Sequence, residues 1–166
     1  MIEFPGRSFL IGNCNNVMKG AVLHGRHKKQ EGITMATYKT LEEAQEVFRN
    51  DRFATSNGMQ IDELGEDCCR CSMTITQDHR NAYGGVMGGV IFTLADFALA
   101  VTSNQIHSLS VAQQVSINYL NAPKGTRLIA HSQCIKNGKT TTVINVDVTD
   151  DTGRQIAKFV GTAFKL

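Results

Sequence analysis

GGVMGGVIFTLADFALAV, residues 84–101, decides how this chain folds. From Val90 onward its residues are apolar on nearly every side of a helical wheel, and a helix of that kind has to be buried. Residues 88–103 are therefore predicted to form one long helix inside the domain. That run of about 16 residues is short for a membrane span and carries Asp96, so it reads as a core helix.

Asp96 is the anomaly. Leu94-Ala95 precede it and Phe97-Ala98-Leu99-Ala100 follow it, so it caps nothing. An isolated carboxylate there loses hydration, which costs several kcal/mol unless the group is paired or protonated. It could face a water-filled edge, accept hydrogen bonds from loop amides, or pair with Arg80 or His79. The functional alternative is a carboxylate of raised pKa, poised as base or nucleophile at a subunit or pocket edge. The glycines upstream bear on this. Gly88 and Gly89 place bare backbone N–H groups at the positive end of the helix, where a polarised carbonyl oxygen can approach. Glycines for tight helix–sheet packing are the plainer explanation. Gly88 and Asp96 lie eight residues apart, about 12 Å along one axis. One helix cannot bring both to one carbon, but two antiparallel copies about a two-fold axis can. If both residues act in catalysis, the chain is a dimer with two shared sites.

Around the helix the sequence reads as one α+β domain. Thr40 and Glu43 open a short amphipathic helix as a capping box. One strand is expected after Asn57-Gly58, running through CCRCSMTIT, followed by the polar loop QDHRNAYGG. Four strand segments follow the long helix: VSINYL, RLIAHSQCI, TTTVINVDVT with Ile144, Val146 and Val148 on one face, and RQIAKFVGTAFKL. PKG, Asn137-Gly138 and DDTG punctuate them as turns in a run of hairpins.

The whole chain has 166 residues, 42% hydrophobic and 19% charged, with a formal net charge of +2. This is a globular balance, and the small charge argues against a dedicated nucleic-acid binder. Residues 1–34 hold five of the basic residues and two of the acidic ones, so the basic excess belongs to that segment. It has no clear period and lacks the marks of a signal peptide. Met35 reads like a protein start, so 1–34 is expected to be an extension or arm and 35–166 the domain. Five scattered cysteines without a secretory signal point to a reducing cytoplasm rather than a disulfide framework. Cys68, Cys69 and Cys71 lack metal-site spacing and read as small buried hydrophobes, with Cys69 and Cys71 on one strand face. No metal, membrane or nucleic-acid partner is expected.

The pattern His79-x-Asn81-x-x-Gly84-x-x-Met87-Gly88-Gly89, followed by LAD ending in Asp96, resembles the signature of the PaaI-like acyl-CoA thioesterases. The resemblance runs over about residues 57–166 and includes the strand and turn placement of the tail. It implies a hotdog fold, an antiparallel curved sheet wrapped around a long central helix. It also implies that the Gly88 N–H polarises a thioester carbonyl and that Asp96 of the neighbouring subunit activates water or attacks directly. Asn81 would hold the water or the thioester oxygen. Gly89, His79, Met87 and Phe92 would surround the substrate, with Phe92, Leu99 and Phe48 shaping the acyl pocket. Lys139 is placed near the phosphates of coenzyme A, which is part of the substrate and not a cofactor. The expected assembly is a homodimer or a dimer of dimers, acting on small, medium or aryl acyl groups. Two positions depart from the family: Met87 stands where His is usual, and Ala112 where Ser or Thr is frequent, with Ser110 two residues away. His107 and His131 have no recognisable nucleophile partner, and no serine-hydrolase elbow occurs. A hotdog dehydratase would need a catalytic His at Met87. A non-catalytic acyl-CoA binding or sensing protein is the alternative, favoured by Met87 and Ala112 and opposed by Asn81, Gly88 and Asp96.

Overall fold

The long apolar segment forms helix α3, Gly88–Ile106, three residues longer than its sequence pattern predicts. The computed structural model describes residues 36–166; the expected arm at 1–34 lies outside them. Before α3 come α1 (Leu41–Phe48), α2 (Arg52–Ser56), β1 (Gln60–Leu64) and β2 (Cys68–Thr74). After it come β3 (Ser110–Tyr119), β4 (Arg127–Asn137), β5 (Thr141–Asp150) and β6 (Gln155–Lys165). The six strands make one antiparallel curved sheet in the order β1-β2-β4-β5-β6-β3, wrapped around α3. Leu94, Ala95, Ala98, Leu99 and Val101 are buried between helix and sheet. By length and composition α3 would also pass for a membrane span, but most of it is buried inside the domain.

Local sequence explains most of these elements. The Thr40 hydroxyl accepts the Glu43 N–H at 3.2 Å, as a cap should. The Glu43 carboxylate reaches one residue further back than a capping box requires and takes the Lys39 N–H. The first helical stretch breaks at Asn50-Asp51, because the Asp51 side chain accepts from Ala54 and starts α2. On β5, Thr142, Ile144, Val146, Val148 and Asp150 are buried in strict alternation, the mark of a strand with one face on the core.

Two expectations need correction. The single strand expected before the polar loop is two, β1 and β2, because the chain turns at Gly65, whose N–H donates to Cys68 O. The tail is also not a plain run of hairpins. β3 pairs with β6, while β4 joins β2, so the segment with PKG is a crossover from one edge of the sheet to its middle. β3 thus becomes an edge strand of ten residues. Cys69 and Cys71 do share one buried face, with sulfurs 3.7 Å apart.

Candidate active site

The site begins with the loop that leads into α3. Asn81 organises it: its side-chain oxygen accepts the N–H groups of Tyr83 and Gly85, and its own N–H donates to Gly85 O at 2.8 Å. The carboxamide NH2 makes no hydrogen bond among the described residues. The Arg80 guanidinium donates to Gly84 O, where a positive φ of 79° suits glycine. His79 is buried, and its Nδ1 accepts the Thr76 N–H at 3.0 Å. The ring thereby anchors the start of the loop. Its carbonyl also receives the Met87 N–H.

These tethers deliver the chain to the N-terminus of α3. Met87 is the N-cap residue and supplies no capping side-chain bond. It is 55% exposed and lies over Gly89. Val90 N–H folds back onto Met87 O. The N–H groups of Gly88 and Gly89 have no partner among the described residues, as expected for a first helical turn without a cap. Two adjacent donors at the positive end of a long helix form a site for an oxygen that gains negative charge.

One contact here was not legible in the sequence. The Tyr119 hydroxyl, from the end of β3, donates to Gly88 O at 3.1 Å. Its ring covers the Gly88 α-carbon so closely that a Cβ there would stand 3.3 Å from the ring.

Asp96 lies one face round and two turns on. Gly89, Thr93, Asp96, Ala100 and Asn104 form the stripe of α3 that the sheet does not fully cover. Burial pushes the Asp96 carboxyl above its ordinary value, and the negative charge of Asp51 adds to that. It has no hydrogen bond or ion pair among the described residues. Arg80 and His79 are engaged in the loop, so pairing with either is not what keeps Asp96 in the helix. Beside the stripe, the inner face of β3 is also open: Ala112 and Tyr119 point towards the helix side yet are exposed.

Other expected site residues scatter. Phe92 packs edge-on against Phe159 at 5.6 Å, as part of the core margin. Leu99 is fully buried against the sheet. Lys139 sits on the β4–β5 hairpin, whose Gly138 O lies 3.0 Å from His107 Nε2 at the C-terminal end of α3. Within one chain that is the far end of the helix, about 27 Å from Gly88. A cleft of about 200 Å³ opens between α1, α2 and β1, lined by Gln45, Phe48, Arg49, Thr55, Met59 and Phe97 among others. Phe48 stands edge-on to Phe97 at 5.7 Å in its wall.

Residues 83–157 match the family model described as the thioesterase superfamily. The chain is 31% identical, over 72% of its length and 79% of the relative's, to a protein of Archaeoglobus fulgidus whose name assigns it no more than the esterase class. It is 28% identical to acyl-coenzyme A thioesterase PaaI of Escherichia coli, over 78% of this chain and 94% of that one. The solved structure of PaaI superposes with a TM-score of 0.71, covering 74% of this chain and 90% of that chain. A hypothetical thioesterase of Streptococcus pneumoniae, solved with coenzyme A, shares 30% identity at a TM-score of 0.65, covering 70% and 94%.

Proposed function

This chain belongs to the thioesterase superfamily and is an acyl-CoA thioester hydrolase, and we propose that it works through two identical sites, each built from two protomers. The Gly88 N–H of one protomer polarises the thioester carbonyl, and Gly89 offers a second donor. Asp96 of the partner subunit activates the attacking water or attacks the carbon itself. Asn81 presents its NH2 to the water or the thioester oxygen. The thiolate leaves readily and needs no strong general acid.

One observation carries this reading. Asp96 has no partner among the described residues and stands on the face of α3 that its own sheet does not fully cover, about 12 Å from the unpaired donors of the same helix. A second copy, related by a two-fold axis, closes both distances at once. The ten-residue edge strand β3, with its exposed inner face, favours the same contact, because an open edge of that length invites pairing. Homodimer is therefore the proposed state, with a dimer of dimers as its extension.

The acyl group is assigned to the cleft near Phe48 and Phe97. Asp51, whose charge reaches Asp96, lies between α1 and α2, so cleft and carboxylate share that junction. At about 200 Å³ the cleft exceeds the ~150 Å³ that holds benzene in an apolar cavity. It suits one ring or a short to medium chain. The thiols of Cys71 and Cys134, neither of them in a disulfide, fit the cytoplasm as the proposed place of action. The test is thiol release from a panel of acyl-CoAs, short aliphatic through aryl-acetyl to long chain, for the wild type and Asp96→Asn. A fall of about two orders of magnitude or more in kcat is expected. Binding of a panel member without thiol release by the wild type would overturn the enzyme reading in favour of a binding protein.

A further inference from the structure

The N-terminus of α3 has an unusual problem. Two consecutive glycines begin the helix, and glycine loses more conformational freedom on ordering than any other residue. The ordinary remedy is a Ser, Thr, Asp or Asn cap whose side chain takes an N–H of the first turn. Met87 occupies the cap position and gives no such bond. A conventional cap would also consume one of the donors that an incoming carbonyl oxygen needs. The first turn has to be held by something other than its N–H groups.

The structure holds it by its carbonyls. Thr93 Oγ1 donates to Gly89 O at 2.8 Å from within the helix. Tyr119 Oη donates to Gly88 O at 3.1 Å from outside it, across 31 residues of sequence. Among the described residues, Tyr119 makes the only side-chain hydrogen bond that reaches this turn from another element. It stands at the end of β3, paired with Ala157 of β6, so its backbone is fixed by the sheet. Its ring lies 3.3–3.5 Å from where a Gly88 side chain would begin, which limits how far the turn can tilt.

We propose that Tyr119 is a positioning residue that orients the Gly88 and Gly89 N–H groups by anchoring the carbonyl side of the turn, leaving both donors free for the substrate. This rests on the oxyanion role given to Gly88 above. The hydroxyl acts through Gly88 and does not itself need to touch the thioester. A tether of this kind acts on the transition state more than on the bound ground state, because the donors bond the oxygen most strongly when it carries charge.

The test is Tyr119→Phe, which keeps the ring and removes the donor. Loss of one such bond is expected to lower kcat about three- to tenfold, with KM within about twofold and thermal midpoint nearly unchanged. Amide hydrogen exchange at Val90, whose N–H is bonded to Met87 O, is expected to quicken in the variant, while exchange in the middle of α3 stays as in the wild type. An unchanged kcat overturns the proposal. So does a loss carried by KM, which would make Tyr119 a substrate contact. The exchange experiment needs no activity, so it separates this inference from the reading it rests on. A wild type without thioesterase activity sinks the enzyme assignment, whereas unaltered exchange at Val90 sinks the tether.

Discussion

Gly161 sets the height of α3 above the sheet, and adding one methyl there should be felt along the helix. A Cβ at Gly161 would fall well inside van der Waals contact with Leu99 Cδ1, and 3.2 Å from Val115 Cγ1 and 3.3 Å from Phe159 Cε1. Leu99 is fully buried three residues past Asp96. Overpacking of this kind costs about 1–3 kcal/mol. Replacing a strand glycine returns about 0.5–1 kcal/mol. Mid-values of the two leave Gly161→Ala destabilised by about 1 kcal/mol. Leu99→Ala alone should cost about 2–5 kcal/mol through the cavity it leaves. In the double variant the new methyl enters that cavity, so the combined cost should fall short of the sum by at least ~1 kcal/mol. Urea denaturation of the four proteins, at matched m-values, measures the cycle. A neutral Gly161→Ala, or additivity within about 0.5 kcal/mol, would refute the claim that this glycine exists for helix clearance.

Asp96→Asn should be more stable than the wild type at pH 7, although less active. Burial, then the charge of Asp51, raises the Asp96 carboxyl above its ordinary value of 3.8. The native state therefore holds that proton more tightly than the unfolded chain, and the ionised group costs stability at neutral pH. The advantage of Asn should shrink as pH falls through the raised value and vanish below about 3.8, read from thermal midpoints against pH. Equal midpoints at pH 7 would contradict it. Asp150 has the opposite sign. Burial would raise its carboxyl, but hydrogen bonds from Thr152 and from the N–H groups of Lys124, Gly125 and Arg154 outweigh that and hold it far below the usual range. Its contribution is present above the ordinary value and lost as pH falls below it. Asp150→Asn should cost about 2–3 kcal/mol at pH 7, measured by urea denaturation.

The central helix was legible because its apolar residues leave no polar face, and β5 because its alternation is strict. Asn81, Gly88 and Asp96 were legible as a spacing. Pairing was not, since period-two alternation says which face is buried but not which strand lies alongside. Hence β3 beside β6 came only with the structure. The split at Gly65 was hidden by the apolar run of cysteines that follows it. His79 sits in a polar loop, and nothing local foretells that this ring is buried. The alternation of Val115, Ile117 and Tyr119 put the tyrosine on the inner face. Its reach to Gly88 depends on how β3 crosses the start of α3. Lys139 was rightly placed on a hairpin, but that hairpin meets the opposite end of the helix from Gly88.

The shared site is the central claim, and subunit complementation tests it most directly. Gly88→Pro removes the donor at a position where a helix tolerates proline; the extended ψ of 133° at Met87 suits it, and the Tyr119 ring, 3.3 Å from the new Cβ, has to give way slightly. Gly88→Pro and Asp96→Asn should each be nearly inactive alone. Co-expressed in equal amounts, about half of the dimers pair one of each, and each such dimer has one intact site. Thiol release at about a quarter of the wild-type rate is the predicted result. Heterodimers that form in that proportion yet release no thiol would mean that Gly88 and Asp96 do not meet across the two-fold axis.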